Sequence, residues 1–350
     1  MVVMLGVDVH KDTHTIVGAD QTGRQVGERT VRATDAGHRQ LVGWARQQFP
    51  SGRVWAVEDC RHVSARLERA LLAAGERVVR VPPKLMAGAR DSARTRGKSD
   101  PIDALAIARA ALREPGLPAA EHDETSRGLR LLVDHREDLV TERTRMQNRV
   151  RWHLHELNPE LDIPARGLDR LVVLDRLTAW LLGQPATMVA RLAAELLGDI
   201  RALTTRINAL EAEITSRVRR VAPALLALPG VGALTAAKIV GETANASRFR
   251  SEACFAMHAG AAPIPASSGR TNRHRLARGG NRQLNAALHR IAVTQIRLGG
   301  LGHAYYQHRR KGGDSKMEAL RALKRRLARI VFNLLKHQQT ALPDLLPAAA

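Results

Sequence analysis

The chain has 350 residues, with 55 Lys and Arg against 34 Asp and Glu and a formal net charge of +21. Two or three domains with their own cores fit that length; no apolar run reaches the ~18 residues of a membrane span, the start lacks the features of a secretory leader, and Cys60 and Cys254 build neither a disulfide framework nor a zinc site. What remains is a reduced cytoplasmic protein whose basic excess calls for nucleic acid. With only 3% aromatic residues, phosphate contact is the expected mode rather than base stacking.

The first 115 or so residues alternate strand and helix signals. MLGVDVH, THTIVGAD and RQVGERTVRAT read as three short strands in a meander. A helix from Ala36 to Phe49, the strand RVWAVEDC, a helix from His62 to Ala74, the strand RVVRVPP and a helix opened by Asp100 follow. That order, βββαβαβα, predicts a mixed sheet flanked by helices, the order of an RNase H-like (RuvC-like) fold.

Long helices take over from Thr125 to Val221. One spans Glu124 to Leu157, and Asn158 to Gly183 reads as loop plus a short helix. Leu196, Ile200, Leu203, Ile207, Leu210, Ile214, Val218 and Val221 then form a heptad-like stripe. This stripe suits an intramolecular hairpin or a coiled coil between subunits. The second is the expectation, because joining two DNA ends needs more than one copy.

Past Pro223, LALPGVGALTAAKIVGE reads as a helix-hairpin-helix, whose turn at Pro229-Gly230-Val231-Gly232 can offer backbone N–H groups to a DNA phosphate. From Ala261 to Lys336 there are seventeen Lys or Arg against Asp314 and Glu318 alone, too uneven for an ordinary solvated face. Helices are expected from Asn281 to Arg297 and from Ser315 to Lys336, before a disordered alanine-rich tail. The division is therefore residues 1–120, an α/β catalytic domain; 121–221, a helical oligomerisation region; 222–340, an all-α domain; and 341–350, a tail.

Four carboxylates carry the chemistry. In GKSDPIDALAIARAAL, Asp100 reads as an N-cap before Pro101 and Asp103 as a first-turn acid, which suits the helix dipole. The same three-residue spacing puts both on one helix face. Asp8 interrupts an apolar strand, and a charge there is costly unless something pairs with it. Glu58 ends the fourth strand, next to the first in the expected sheet. Such a convergence repels itself unless divalent cations lie between, and Mg²⁺ prefers these oxygen ligands. Two ions so held serve phosphodiester cleavage. Asp12, Asp20 and Asp59 are weaker candidates; Asp59 should face away from Glu58.

GVDVHKDTH, AVEDC and VVRVPPKLMAGARDSARTRGKSDPIDALAIARAAL together resemble the RuvC-like DEDD domain of the insertion-sequence 110 family of transposases. LALPGVGALTAAKIVGE, HAGAAPIPASSGR and LARGGNRQLNAALHRIA resemble that family's C-terminal domain, in the same order. The resemblance implies a recombinase that uses Mg²⁺, a serine forming a covalent protein–DNA intermediate, a tetramer and a structured bridge RNA that pairs with target and donor DNA. Asp8, Glu58, Asp100 and Asp103 match the DEDD positions, and the serine falls on Ser268, with Ser267 as the alternative. Lys98, Arg270, Arg273, Arg275, Arg278 and Arg282, with Gly230 and Gly232, are the expected nucleic-acid contacts. A nuclease using water as nucleophile, or a non-catalytic nucleic-acid-binding protein, is the alternative. His10 and His14 lie in strand and turn, where no helical zinc pair forms, and Trp44, Trp55, Trp152 and Trp180 are expected in cores.

Overall fold

The computed structural model describes residues 2–341 apart from 59–62, 84, 87–98, 115, 122, 268, 270–273 and 278. Its sheet comprises β1 (Val3–Val9), β2 (Thr13–Ala19), β3 (Gln25–Arg32), β4 (Arg53–Glu58) and β5 (Val78–Val81), in the order β3-β2-β1-β4-β5. Short polar turns join the first three strands, so β1–β2 and β2–β3 pair antiparallel. Helical crossovers α1 (Asp35–Gln48) and α2 (Ala65–Ala73) return the chain in one direction, so β1–β4 and β4–β5 pair parallel. Thr34 opens α1 by accepting from Gly37 N–H at 3.1 Å.

Central β1 is covered on both faces, and strand alternation divides its side chains between two layers. Leu5, Val7 and Val9 pack with Leu41 and Ala45 of α1 and Leu67 and Leu71 of α2. On the other face Val54, Ala56, Val79 and Val81 meet Ala106, Ile107 and Ala110 of α3 (Asp100–Arg113). Helix α3 comes so close that a Cβ on Gly6 would lie 2.5 Å from Ala108 N and closer still to the Ala104 carbonyl oxygen. Glycine at position 6 is what lets the helix backbone rest on the strand.

Two histidines are shut into this half. His14 on β2 and His38 on α1 are each 2% exposed and stack at 5.3 Å, while His14 Nδ1 and both His38 ring nitrogens lack hydrogen-bond partners. Burial, then repulsion from His38, pushes the His14 pKa down to about 4. Burial also lowers His38, against the opposing pull of Asp35. The unfolded chain binds a proton at His14 near its ordinary value, 6.5, and the folded chain only near 4, so stability falls as pH drops through that window. The expected loss from His14 alone is about 3 kcal/mol. Urea melts at pH 7, 5.5 and 4.5 should show a shallower decline for His14→Leu than for the parent; equal slopes would refute this.

The chain divides into two compact units, Met1–Glu124 with Thr243–Ala350, and Thr125–Glu242. The second is built on α4 (Glu124–Leu157), α5 (Leu171–Leu182) and α6 (Met188–Val221). Ile200, Leu203 and Ile207 of α6 are buried against α4 and α5 through Leu139, Val150, Leu154 and Leu174. Arg136 pairs with Glu211, and Arg143 donates to Thr204 Oγ1 at 3.2 Å, so α4 and α6 run antiparallel. Of the two arrangements open to the heptad-like stripe, the structure shows the intramolecular hairpin. The stripe is covered by the chain's own helices.

Two further helices follow, α7 (Pro223–Leu226), a single turn, and α8 (Ala233–Thr243). Gly230 between them adopts φ +86°, the left-handed region that glycine enters without strain. The rest is helical, comprising α9 (Glu252–His258), α10 (Arg282–Leu298), α11 (Leu301–Lys311) and α12 (Lys316–Ala341), apart from a hairpin of β6 (Ile264–Pro265) and β7 (His274–Arg275). Among the described residues, no helix is long and apolar enough to cross a membrane.

Candidate metal centre and nucleic-acid interface

Parallel pairing of β1 and β4 matches Val7 with Val57, which sets Asp8 beside Glu58 one step further along. Asp8 shares its sheet face with Gly6, and Glu58 shares its face with Val54 and Ala56, the face covered by α3. The N-terminus of α3 brings Asp100 and Asp103 to the same edge. Ser99, not Asp100, is the N-cap: its backbone is extended, and its carbonyl accepts the first helical bond, from Asp103 N–H at 3.0 Å. Asp100 and Pro101 therefore lie one position further into the helix than the sequence suggests, because the chain enters helical geometry one residue earlier, at Asp100.

Ligand atoms of Asp8, His10 and Asp100 lie within 4.8 Å of one another, a grouping that can hold a metal ion. His10 Nε2 is 3.1 Å from Asp8 Oδ2 and 3.4 Å from Asp100 Oδ1, so one imidazole bridges two carboxylates. Asp8 is buried, whereas Asp100 and His10 are half exposed, so the group reaches solvent through Asp100 and His10. Burial pushes the Asp8 carboxyl above its ordinary range, His10 pulls it back, and repulsion from Asp103 and Asp100 adds to the rise. That excess of negative charge is what a divalent cation neutralises. The residues present fit a metal ion. Asp103 is 5% exposed and Glu58 half-buried; neither belongs to the group within 4.8 Å.

His10 is the member that sequence reasoning missed. Strand alternation carried past Val9 would have found it, since residues 8 and 10 share a face. Lys98 and Asp59 lie outside the described residues.

In the C-terminal part, Ile264 pairs with Arg275 and Pro265 with His274, so residues 266–273 connect the arms of a hairpin. Ser267 in that connection is exposed and Gly269 adopts φ +55°, while Ser268, Arg270, Arg273 and Arg278 lie outside the described residues. Arg275 on β7 and Arg282, the first residue of α10, are exposed. Asn285 fixes the base of this segment: its Nδ2 donates to the Ala259 and Gly260 carbonyls at 2.9 Å, and its Oδ1 accepts from Lys324 Nζ at 2.6 Å. Burial pushes the Lys324 ammonium below its ordinary pKa. No sequence signal separates this lysine from its charged neighbours on α12.

Residues 5–159 match the DEDD transposase family of IS110 type, and residues 222–307 match the Transposase IS116/IS110/IS902 family. The chain belongs to the IS110 family of transposases. A 44.8 kDa protein of insertion element IS116 from Streptomyces clavuligerus is 28% identical over 97% of this chain and 96% of its own length. A 42 kDa protein of IS900 from Mycobacterium paratuberculosis is 29% identical over 99% of both. A 43.6 kDa protein of IS110 from Streptomyces coelicolor is 28% identical over 95% of this chain and 94% of the relative. The solved structure of T. thermophilus RuvC with a Holliday junction substrate matches 34% of this chain at 14% identity and a TM-score of 0.28, too low to argue from. The RNase H-like character of this IS110-family chain rests on its strand order, not on that comparison.

Proposed function

We propose that this transposase cuts and rejoins double-stranded DNA with the acidic site at the β1–α3 edge and a serine in the β6–β7 connection. The observation that carries the reading is the convergence of Asp8 and Asp100, with His10, in a chain of the IS110 family. In this reading residues 1–120 supply the carboxylates, 121–221 serve assembly as a dimer or tetramer, and 222–340 supply the serine and much of the basic DNA contact. The helix-hairpin-helix around Gly230 and Gly232 meets phosphate through its backbone N–H groups. A structured guide RNA is part of the proposal on the family resemblance and the +21 charge.

Asp8, Glu58, Asp100 and Asp103 would hold Mg²⁺, which when bound supplies positive charge at the scissile phosphate. Ser268 Oγ, with Ser267 as the alternative, attacks phosphorus. One Oγ–P bond forms, the P–O bond to one sugar breaks, the serine proton leaves to solvent and the departing sugar oxygen gains one. The reverse attack by a sugar hydroxyl on the phosphoserine restores the strand and frees the serine, so no bond energy is lost. Arg275 and Arg282, with Arg270, Arg273, Arg278 and Lys98, neutralise the phosphate as charge builds on it.

The test uses the full chain with the RNA that co-purifies from its native flanking DNA and a radiolabelled element end. A covalent protein–DNA band is expected for the parent and for Ser267→Ala, and none for Ser268→Ala. Cleavage by Ser268→Ala at the parent rate with no covalent band in any variant would instead make the protein a nuclease that uses water.

A further inference from the structure

The sequence expectation that every tryptophan packs into a core fails at one position. Trp55 is fully buried and Trp44 and Trp180 pack against core clusters, but Trp152 on α4 is 75% exposed. The helix repeat explains it: Val150 and Leu154 take the inward face, and residue 152 is turned to the far side. An exposed indole offers a flat π-face and an N–H, the features of a side chain suited to stacking on a partner.

Its surroundings say which kind. Between Glu142 and Glu156 the helix carries no acidic residue. Arg143 in that stretch is buried and pairs with Asp169 at 2.9 Å. Arg145, Arg149 and Arg151 are exposed, and no ion pair is recorded for them among the described residues. Trp152 also borders a groove of about 780 Å³, with Arg151, Asn148 and His155 on its helix wall and residues of the 158–163 segment opposite; among the residues lining it Asp162 is the one acid, Glu160 of the same segment lying outside the lining. A protein partner would need to bring carboxylates to three arginines. An unpaired nucleotide brings a π-face for the indole, phosphates for the arginines and base-edge groups for the Asn148 amide.

We propose that Trp152 and its groove form a stacking site for an unpaired base of single-stranded DNA. The proposal deepens the recombinase reading, since a strand cut from its neighbour must be held until it is rejoined. It needs no cleavage, so it can fail or stand independently of the serine assignment.

The experiment measures fluorescence anisotropy of labelled dT12 and of a 12-base-pair duplex with the full chain, in EDTA at fixed salt. Trp152→Ala is expected to weaken dT12 binding roughly tenfold, the size of one lost base stack. Trp152→Phe should stay within about threefold of the parent, and duplex binding should be unchanged in both. In the parent, ultraviolet crosslinking of a 5-iododeoxyuridine oligomer should place the adduct on Trp152, a readout independent of variant folding. The proposal is overturned if Trp152→Ala binds dT12 like the parent, if it loses duplex and dT12 equally, or if rU12 is bound while dT12 is not. A fall in solution mass on Trp152→Ala, marking a subunit contact, would overturn it too.

Discussion

Asp8→Asn is expected to lower strand cleavage by about a thousandfold or more while leaving the fold intact. A loss of that size corresponds to roughly 4 kcal/mol of transition-state stabilisation, which is what removing a ligand from a metal-dependent phosphoryl site should cost. The contrast with stability makes the prediction sharp. Asp8 is 6% exposed, and burial together with Asp100 and Asp103 disfavours its charge. The isosteric amide removes that unfavourable charge and keeps the volume, so the melting temperature without metal should hold or rise. The His10 contact on Oδ2 changes from charged to neutral and offsets part of the gain. Cleavage assays with saturating Mg²⁺, paired with thermal melts in EDTA, separate the two effects. Parent-like cleavage would remove Asp8 from the site, and a collapsed melt would show that its charge is structural.

Gly6→Val should be the most damaging substitution of a residue that carries no functional group. Any Cβ there meets Ala104 O, Ala108 N and the Ala108 side chain, and a helix backbone cannot move aside as a flexible side chain can. Relief requires α3 to lift from β1, which opens the layer around Ala106, Ile107 and Ala110. Overpacking of this kind costs about 1–3 kcal/mol and more where backbone must shift. The displaced element also carries Asp100 and Asp103, so activity should fall further than the lost stability explains. A urea melt gives the first quantity, and cleavage measured well below the midpoint gives the second. If Gly6→Val folds like the parent and cleaves like it, the close seating of α3 has no bearing on the site.

Much of this arrangement is legible in the chain because local rules and tertiary outcome agree there. Strand-length β-branched runs, brief polar turns and a Pro-initiated helix leave few ways to assemble the first half, and they put Asp8, Glu58 and Asp100 at one edge. The α6 stripe is equally plain, but a stripe states only that a face must be covered. Covering by α4 of the same chain and covering by a second copy satisfy it alike, and periodicity cannot choose between them. Trp152 escaped because residue type was weighed without helix phase, although Val150 and Leu154 two places either side already define the inward face. His10 escaped similarly, its spacing tested against a helix when it continues a strand. Asn285 and Lys324 meet across 39 residues of sequence with no motif between them.

The first compact unit is made from two stretches of chain that the ribosome delivers far apart in time. Arg248 reaches the Ala119 carbonyl at 3.4 Å and Asn245 reaches Glu121 at 2.9 Å, contacts that cannot form until everything between has been synthesised. At ordinary elongation rates the first stretch waits roughly 6–24 s while Thr125–Glu242 emerges. During that interval the sheet can close around its own core, which involves only residues up to Ala120, whereas the helical remainder has no surface of its own unit to meet until last. Birth order therefore lets the sheet domain with its four carboxylates fold on the nascent chain before any basic C-terminal helix exists to accompany it.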